Sequence, residues 1–287
     1  MSIGAGVVGG YRKAGKMMDT RRIAVRHDLA AEHLRGQVDA AKFVEGKPMA
    51  VGASMINLVR NADPDTNLAT QLLYGEGFTV YDEIADMGLA WGQSARDGHV
   101  GYVPSAGLIE PLEGRIETVS VLSALVFSEP DFKSQLLGSY SLGCRVAVEG
   151  EEDGYARLGS NIYTPLQNLA SVTGDFVSVA EKFIGSPYLW GGRSYFGLDC
   201  SGLVQLVLQA VGVDAPRDAD MQAAELGSAC DAPLQRGDLV FWDGHVGIMR
   251  DGENLLHANA HHMTVVSEPL ADVAARADGE ITATRRL

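Results

Sequence analysis

Leu203, Val204, Val207, Leu208 and Val211 recur at three- and four-residue intervals, which predicts an amphipathic helix opening at Cys200 and stopping at Gly212. A second apolar run, Val177, Val179, Ala180, Phe183 and Ile184, predicts a helix from Phe176. Residues 28–34 also read as helical, with Asp28 as the N-cap. Beyond them the pattern shortens into segments broken by Gly, Asp and Pro, which is β territory. Residues 238–242 and 245–249 are strand-like and joined by Asp243-Gly244, a strong hairpin signal. A third strand, 254–259, follows Asp251-Gly252. Two helices followed by an antiparallel meander make an α+β arrangement.

Upstream there is an internal repeat. Tyr102-x-Pro104-x-x-x-Leu108 recurs as Tyr163-x-Pro165-x-x-x-Leu169, and a β-rich stretch precedes each (Leu89-Ala90-Trp91 and Tyr155-Ala156-Arg157). A period of roughly sixty residues with short strands and tight turns predicts two small β-barrels in tandem. The chain turns polar at 171–175, marking the last boundary. The predicted organisation is a disordered leader over 1–20, with Met17 or Met18 as an alternative start, and then an N-terminal helix and connecting segment over 21–59. Barrels over 60–112 and 113–174 follow, and a catalytic domain occupies 175–287.

Composition narrows the function. The 287 residues are 46% hydrophobic and 21% charged, ordinary for a globular protein. With 23 basic against 37 acidic residues, the net charge of −14 argues against nucleic acid, membrane and anionic wall polymers as docking surfaces, and toward small diffusible substrates. Cys144, Cys200 and Cys230 lie far apart with no C-x-x-C pair, so no disulfide framework or zinc ribbon is expected. His261 and His262 fit no common zinc spacing. No metal or cofactor is expected. The apolar run at 3–10 is short, and its basic residues follow it rather than precede it. No apolar stretch follows Arg21-Arg22, so the expected location is the reducing cytoplasm.

Cys200 falls in the first turn of its helix, where unpaired N–H groups and the helix dipole are expected to lower the thiol pKa below about 8.5 and favour the nucleophilic thiolate. A nucleophile needs a base and a group to orient that base. His245 and His257 are available, and hairpin register decides whether they meet. A two-residue loop at 251–252 pairs 245 with 258 and sends the imidazoles to opposite faces; a three-residue loop at 250–252 pairs 245 with 257 on one face. The catalytic reading therefore requires an odd-length loop. His245 is then the base, with one ring nitrogen facing the sulfur and the other donating to His257.

Pro187-Tyr188-x-Trp190-Gly191-Gly192, Asp199-Cys200-Ser201-Gly202-Leu203-Val204, Arg236-Gly237-Asp238-Leu239-x-Phe241-Trp242, His245-Val246-Gly247-Ile248 and Leu256-His257-Ala258 resemble the NlpC-type family of papain-like cysteine peptidases. The upstream half resembles the paired bacterial SH3-like domains of members that cut γ-D-glutamyl–diamino acid bonds in murein stem peptides. The resemblance implies a papain-like domain behind two SH3-like barrels, with Cys200 as nucleophile, His245 as base then acid, and His257 as the orienting member. It sets the Tyr188 hydroxyl near the oxyanion; a core aromatic with a wet hydroxyl is the other reading. It implies that the first barrel walls off one end of the groove, admitting small murein-derived peptides with a free N-terminal L-Ala. Asp199, Ser201, Glu76 and His99 then fall at the substrate. Asp199 is alternatively the N-cap of the helix, and Glu76 a solvated turn residue. His99 stands where the family usually has tyrosine: either it replaces that contact to the amine, or recognition differs. An amidase or acyltransferase on the same scaffold, or a non-catalytic wall-peptide binding module, are the other functions this sequence admits.

Overall fold

Short strands alternating in burial assemble into three successive β-units, the last of which carries the long helix. The computed structural model describes residues 19–63, 66–172, 174–230 and 232–287, with the backbone of 12–13 and 16–17. Most of the predicted leader, Met18 included, lies outside the described residues; within it Arg12–Lys13 pairs with Lys16–Met17.

Residues 28–34 are not an α-helix. Leu29–Ala31 form a strand parallel to Lys42–Val44, and Glu32–Leu34 make a single 3-10 turn. Asp28 caps nothing; its carboxylate is held by Arg26 at 2.8 Å. The reason is packing. Leu29, Ala30 and Ala31 are buried in succession within a cluster that closes over Trp91 of the first barrel, whereas a helix would turn one of them outward.

Seven antiparallel strands in the order 108–109, 47–51, 77–84, 89–94, 100–104, 55–59 and 68–73 form the first barrel around Val51, Leu58, Leu72, Phe78 and Val103. Its strands begin at Lys47, not at residue 60. Gly46 and Gly52 flank, and Pro48 occupies, a strand whose Ala50 and Val51 are buried in the sheet. The second unit pairs Arg115–Thr118 with Arg145–Val148 and adds a five-stranded sheet over 123–165. In both units the Tyr-x-Pro strand, Val100–Pro104 or Ile162–Pro165, runs into one 3-10 turn, Ser105–Gly107 or Leu166–Asn168. The repeat seen in the sequence is therefore structural.

The third unit starts with α1 (Phe176–Glu181), capped by Asp175 at 2.8 Å, and continues into α2 (Cys200–Ala210). Every α2 residue from Cys200 to Leu208 is buried, because the helix lies between a six-stranded sheet and the barrels rather than on a surface. That sheet runs 228–229, 283–286, 239–242, 245–249, 254–259, 264–269. No described helix is long and apolar enough to cross a membrane. The hairpin after Met249 pairs Ile248 with Leu256 and Met249 with Leu255, and the Arg250 N–H donates to the Asn254 carbonyl at 2.8 Å. Its loop is thus 251–253. The length is odd, as the catalytic reading requires, but the loop is shifted one residue from 250–252 because the Asp251 carboxylate caps the N–H groups of Glu253 and Asn254. Continuing this register sets His257 level with Gly247, so His245 and His257 are diagonal neighbours on one face rather than directly opposed.

Candidate active site

Asp199 ends the glycine-rich turn and caps α2, accepting the Gly202 N–H at 2.6 Å and the Gly191 N–H at 2.8 Å. The same carboxylate is clasped by buried Arg217 at 2.6 and 2.9 Å. Arg217 also donates to the Ser201 hydroxyl and to Thr70 of the first barrel. Only glycine fits at 202, where a Cβ would lie 2.3 Å from the Gly192 carbonyl oxygen. Asp199 is therefore the cap and an ion-pair partner, not a free carboxylate for a substrate ammonium, and Ser201 turns its hydroxyl to Arg217.

The Cys200 sulfur lies 4.0 Å from the Gly244 carbonyl oxygen, and the N–H groups of Val246 and Ser201 favour its anion. Burial nonetheless pushes the thiol up to about 11, helped by the Asp199 charge. The expected lowering by the helix terminus does not occur. At 8% exposure the cost of desolvating a thiolate exceeds the pull of the backbone dipoles. His245 sits in the chain between Gly244 and Val246, the two residues whose backbone groups meet the sulfur.

His245 Nε2 and His257 Nδ1 are 2.8 Å apart, and His257 Nε2 is 2.9 Å from Glu268 Oε1. Glu268 is held in turn by Arg276, with His262 3.4 Å away. The anion at the end of this chain assigns the tautomers. The Asn259 amide nitrogen also lies 3.0 Å from His257 Nε2, but the charged carboxylate is the stronger partner, so His257 Nε2–H donates to Glu268, its Nδ1 accepts from His245 Nε2–H, and His245 Nδ1 is left unprotonated. Burial, then the neighbouring His257 and Arg276, lower the His245 pKa from 6.5 to about 4. His257 is lowered too, chiefly by burial. For Glu268 burial acts upward, but hydrogen bonds from Arg276, His257 and His262 bring it down to about 2. Sequence reasoning missed Glu268. Its only local sign is an acid in the strand after His257, and the pairing of Leu255 with Glu268 is what brings it diagonally beside that ring.

Tyr188 packs its ring on the core beside Cys200; burial, and then the Cys200 and Asp199 charges, raise its hydroxyl to about 12, so it remains a donor. No described residue ties that hydroxyl down. The groove at the cysteine has a volume of about 740 Å³ and is walled by Cys200, Gly244 and Trp190 on one side and by Arg60, Asn67 and Leu68 of the first barrel on the other. Asp218 and Asp220 line it, paired with Arg21 of the N-terminal segment at 2.8 and 2.7 Å. Burial acts to raise the Asp218 pKa, but the His99 contact and the Arg21 and Arg217 charges bring it to about 2.

Two expected substrate contacts lie elsewhere. Glu76 is buried in a two-point ion pair with Arg193, at 3.0 Å for each bond, and also accepts the Leu73 N–H. It borders a different cavity. His99 is 1% exposed and stands behind Asp218, at 3.3 Å, with Asp97 on its other side at 3.8 Å. It reaches the groove only through Asp218. Asp199 and Ser201 do line the groove at the cysteine, Asp199 with its carboxylate paired to Arg217, and Asp218, Asp220 and Asp243 are further lining carboxylates that the sequence reading did not single out. Among the described residues no group of three His, Cys, Asp or Glu side chains is arranged to hold a metal ion.

A family model described as the NlpC/P60 family matches residues 185–276, and one described as the bacterial dipeptidyl-peptidase Sh3 domain matches 58–108. A gamma-D-glutamyl-L-lysine dipeptidyl-peptidase of Bacillus cereus is 27% identical over 236 residues, covering 71% of either chain. A Bacillus subtilis protein of the same name is 38% identical over 103 residues, 33% of this chain and 34% of its own. Among solved structures, an NlpC/P60 family protein from Bacillus cereus superposes with a TM-score of 0.71 at 21% identity, over 84% of this chain and 99% of that one. This likeness shows a shared fold.

Proposed function

The chain carries an NlpC/P60 cysteine peptidase domain behind a bacterial dipeptidyl-peptidase SH3 domain, and on that premise we propose that it hydrolyses the γ-D-glutamyl–diamino acid bond of small murein peptides with a free N-terminal L-Ala. The observation that carries this reading is the hydrogen-bonded series His245–His257–Glu268, whose first member follows Gly244 in the chain, together with a groove lined by Gly244 and Cys200. In it the Cys200 thiol attacks the scissile carbonyl as its proton passes to His245 Nδ1. The Cys200 N–H and the Tyr188 hydroxyl donate to the oxyanion. His245 then protonates the leaving amine, and as base it activates the water that cleaves the thioester.

Substrate choice rests on the groove. Asp199, Asp218, Asp220 and Asp243 line the groove against the guanidinium groups of Arg21 and Arg60, which leaves an excess of negative charge that suits an ammonium. The names of the Bacillus relatives agree with a γ-D-glutamyl peptide. All three cysteines are free thiols, which supports a reducing compartment and hence recycling of released peptides in the cytoplasm. The test is incubation with L-Ala-γ-D-Glu-diaminopimelate and with its N-acetylated form. Cleavage of the free peptide at least about 100-fold faster is expected, since acetylation removes the ammonium that the groove carboxylates would pair with and adds bulk at the closed end. Equal cleavage would overturn the free-amine reading, and cleavage of neither would overturn the substrate class.

The electrostatics also set a pH profile. A histidine whose pKa falls on folding stays neutral in the fold while the unfolded chain takes up a proton, so its share of stability is lost progressively as pH drops from 6.5 to about 4, although the base itself remains unprotonated. Glu268 stays ionised to about 2. The acid limb of kcat/KM is therefore expected near pH 4, with circular dichroism at each pH separating it from unfolding; a midpoint near 6.5 would show an ordinary solvated imidazole.

A further inference from the structure

A second cavity of about 740 Å³ lies where the three β-units meet, at the end of α2 remote from Cys200. Three arginines border it, one from each unit: Arg96, Arg145 and Arg193. Arg193 is fully buried and commits its terminal nitrogens to Glu76, the Gln71 carbonyl and the Gln209 side chain. Its Nε has no partner. Neither Arg96 nor Arg145 makes a side-chain ion pair or hydrogen bond with any described residue.

The carboxylates nearby do not balance this charge. Glu76 is saturated by Arg193 and the Leu73 N–H, and Glu117 is bound to Arg115 at 2.8 Å. Desolvation lowers the Arg96 pKa, and the Arg193 and Arg145 charges add to that, against the opposing pull of Glu76 and Asp214. The three guanidinium groups are thus close enough to feel one another. Arg96 and Arg145 reach the cavity from its solvent-exposed rim, whereas Arg193 is buried with its Nε unpartnered, and a buried N–H without an acceptor is the feature that calls for a ligand. The C-terminal end of α2 faces the same space, but its last carbonyls are already bonded to the N–H groups of Val211, Gly212 and Val213.

We propose that this cavity binds a compact multivalent oxyanion, of the phosphoryl or polycarboxylate class, held by the forks of Arg96 and Arg145 and by Arg193 Nε. Planar guanidinium forks match both oxyanion types bidentately. Bound there, the anion bridges the two barrels and the peptidase unit and stabilises their joint.

The test uses the full chain and does not depend on peptidase activity. Thermal unfolding and calorimetric titration are run with pyrophosphate, with citrate, and with sodium chloride at matched ionic strength, on the parent and on the Arg96→Gln/Arg145→Gln variant. These arginines have no internal partner, so the variant is expected to fold. A saturable rise in Tm of several degrees with pyrophosphate or citrate, lost in the variant, is the expected result. The tighter of the two identifies the class. A rise no larger than that with chloride, or one retained in the variant, overturns the proposal.

Discussion

Replacing Cys200 by alanine is expected to cut peptide hydrolysis by at least about 10⁴-fold while leaving the fold intact, because the substitution removes one buried sulfur whose contacts, to the Gly244 carbonyl and the N–H groups of Val246 and Ser201, are weak sulfur hydrogen bonds. Neither remaining thiol can substitute. Cys144 is buried in the second barrel with its pKa pushed up to about 12, and Cys230 lies buried in the sheet edge near the C-terminus. His245→Ala is expected to lose nearly as much, and the double variant no more than either single one, since thiol and base act as one unit. The checks are steady-state kinetics and a denaturation curve for each variant. Parent-like turnover in Cys200→Ala would remove the nucleophile, and multiplicative losses in the double variant would separate the base from it.

Arg217→Ala is expected to have the largest effect on stability, about 3–5 kcal/mol, because it leaves the Asp199 carboxylate buried without its counter-charge. Arg217 is 1% exposed and ties together Asp199, Ser201 and Thr70, joining the catalytic turn to the first barrel. Loss on that scale is a large fraction of the stability of an ordinary protein. Arg217→Lys is expected to recover little, since one ammonium cannot reproduce the two-point contact with Asp199 while also reaching Thr70. Denaturant titration measures both. A cost below about 1 kcal/mol for Arg217→Ala would mean that the turn is held by Gly191, Gly202 and the helix cap alone.

What the sequence discloses here is chiefly local. The period of Leu203 to Val211, the stop at Gly212 and the Asp243-Gly244 hairpin are set by neighbouring residues, and each is found in place. The Tyr-x-Pro repeat is legible for the same reason: strand, proline and 3-10 turn are contiguous. Residues 28–34 misled because their burial comes from Trp91, far along the chain.

The site divides along the same line. Cys200 at a helix start, and two histidines on adjoining strands, follow from motif and alternation. The meeting of His257 with Glu268, of Arg217 with Asp199 and of Glu76 with Arg193 depends on strand register and on which unit packs against which. An acid in a sequence carries no mark of the cation that will claim it, so the cap role of Asp199 was legible but its pairing with Arg217 was not, nor that of Glu76 with Arg193, and Asp218 and Asp220 went unread. The thiol's charge state was decided in the same way. The helix terminus that favours the anion is visible in the sequence, but the burial that outweighs it comes from residues of the whole fold closing over Cys200.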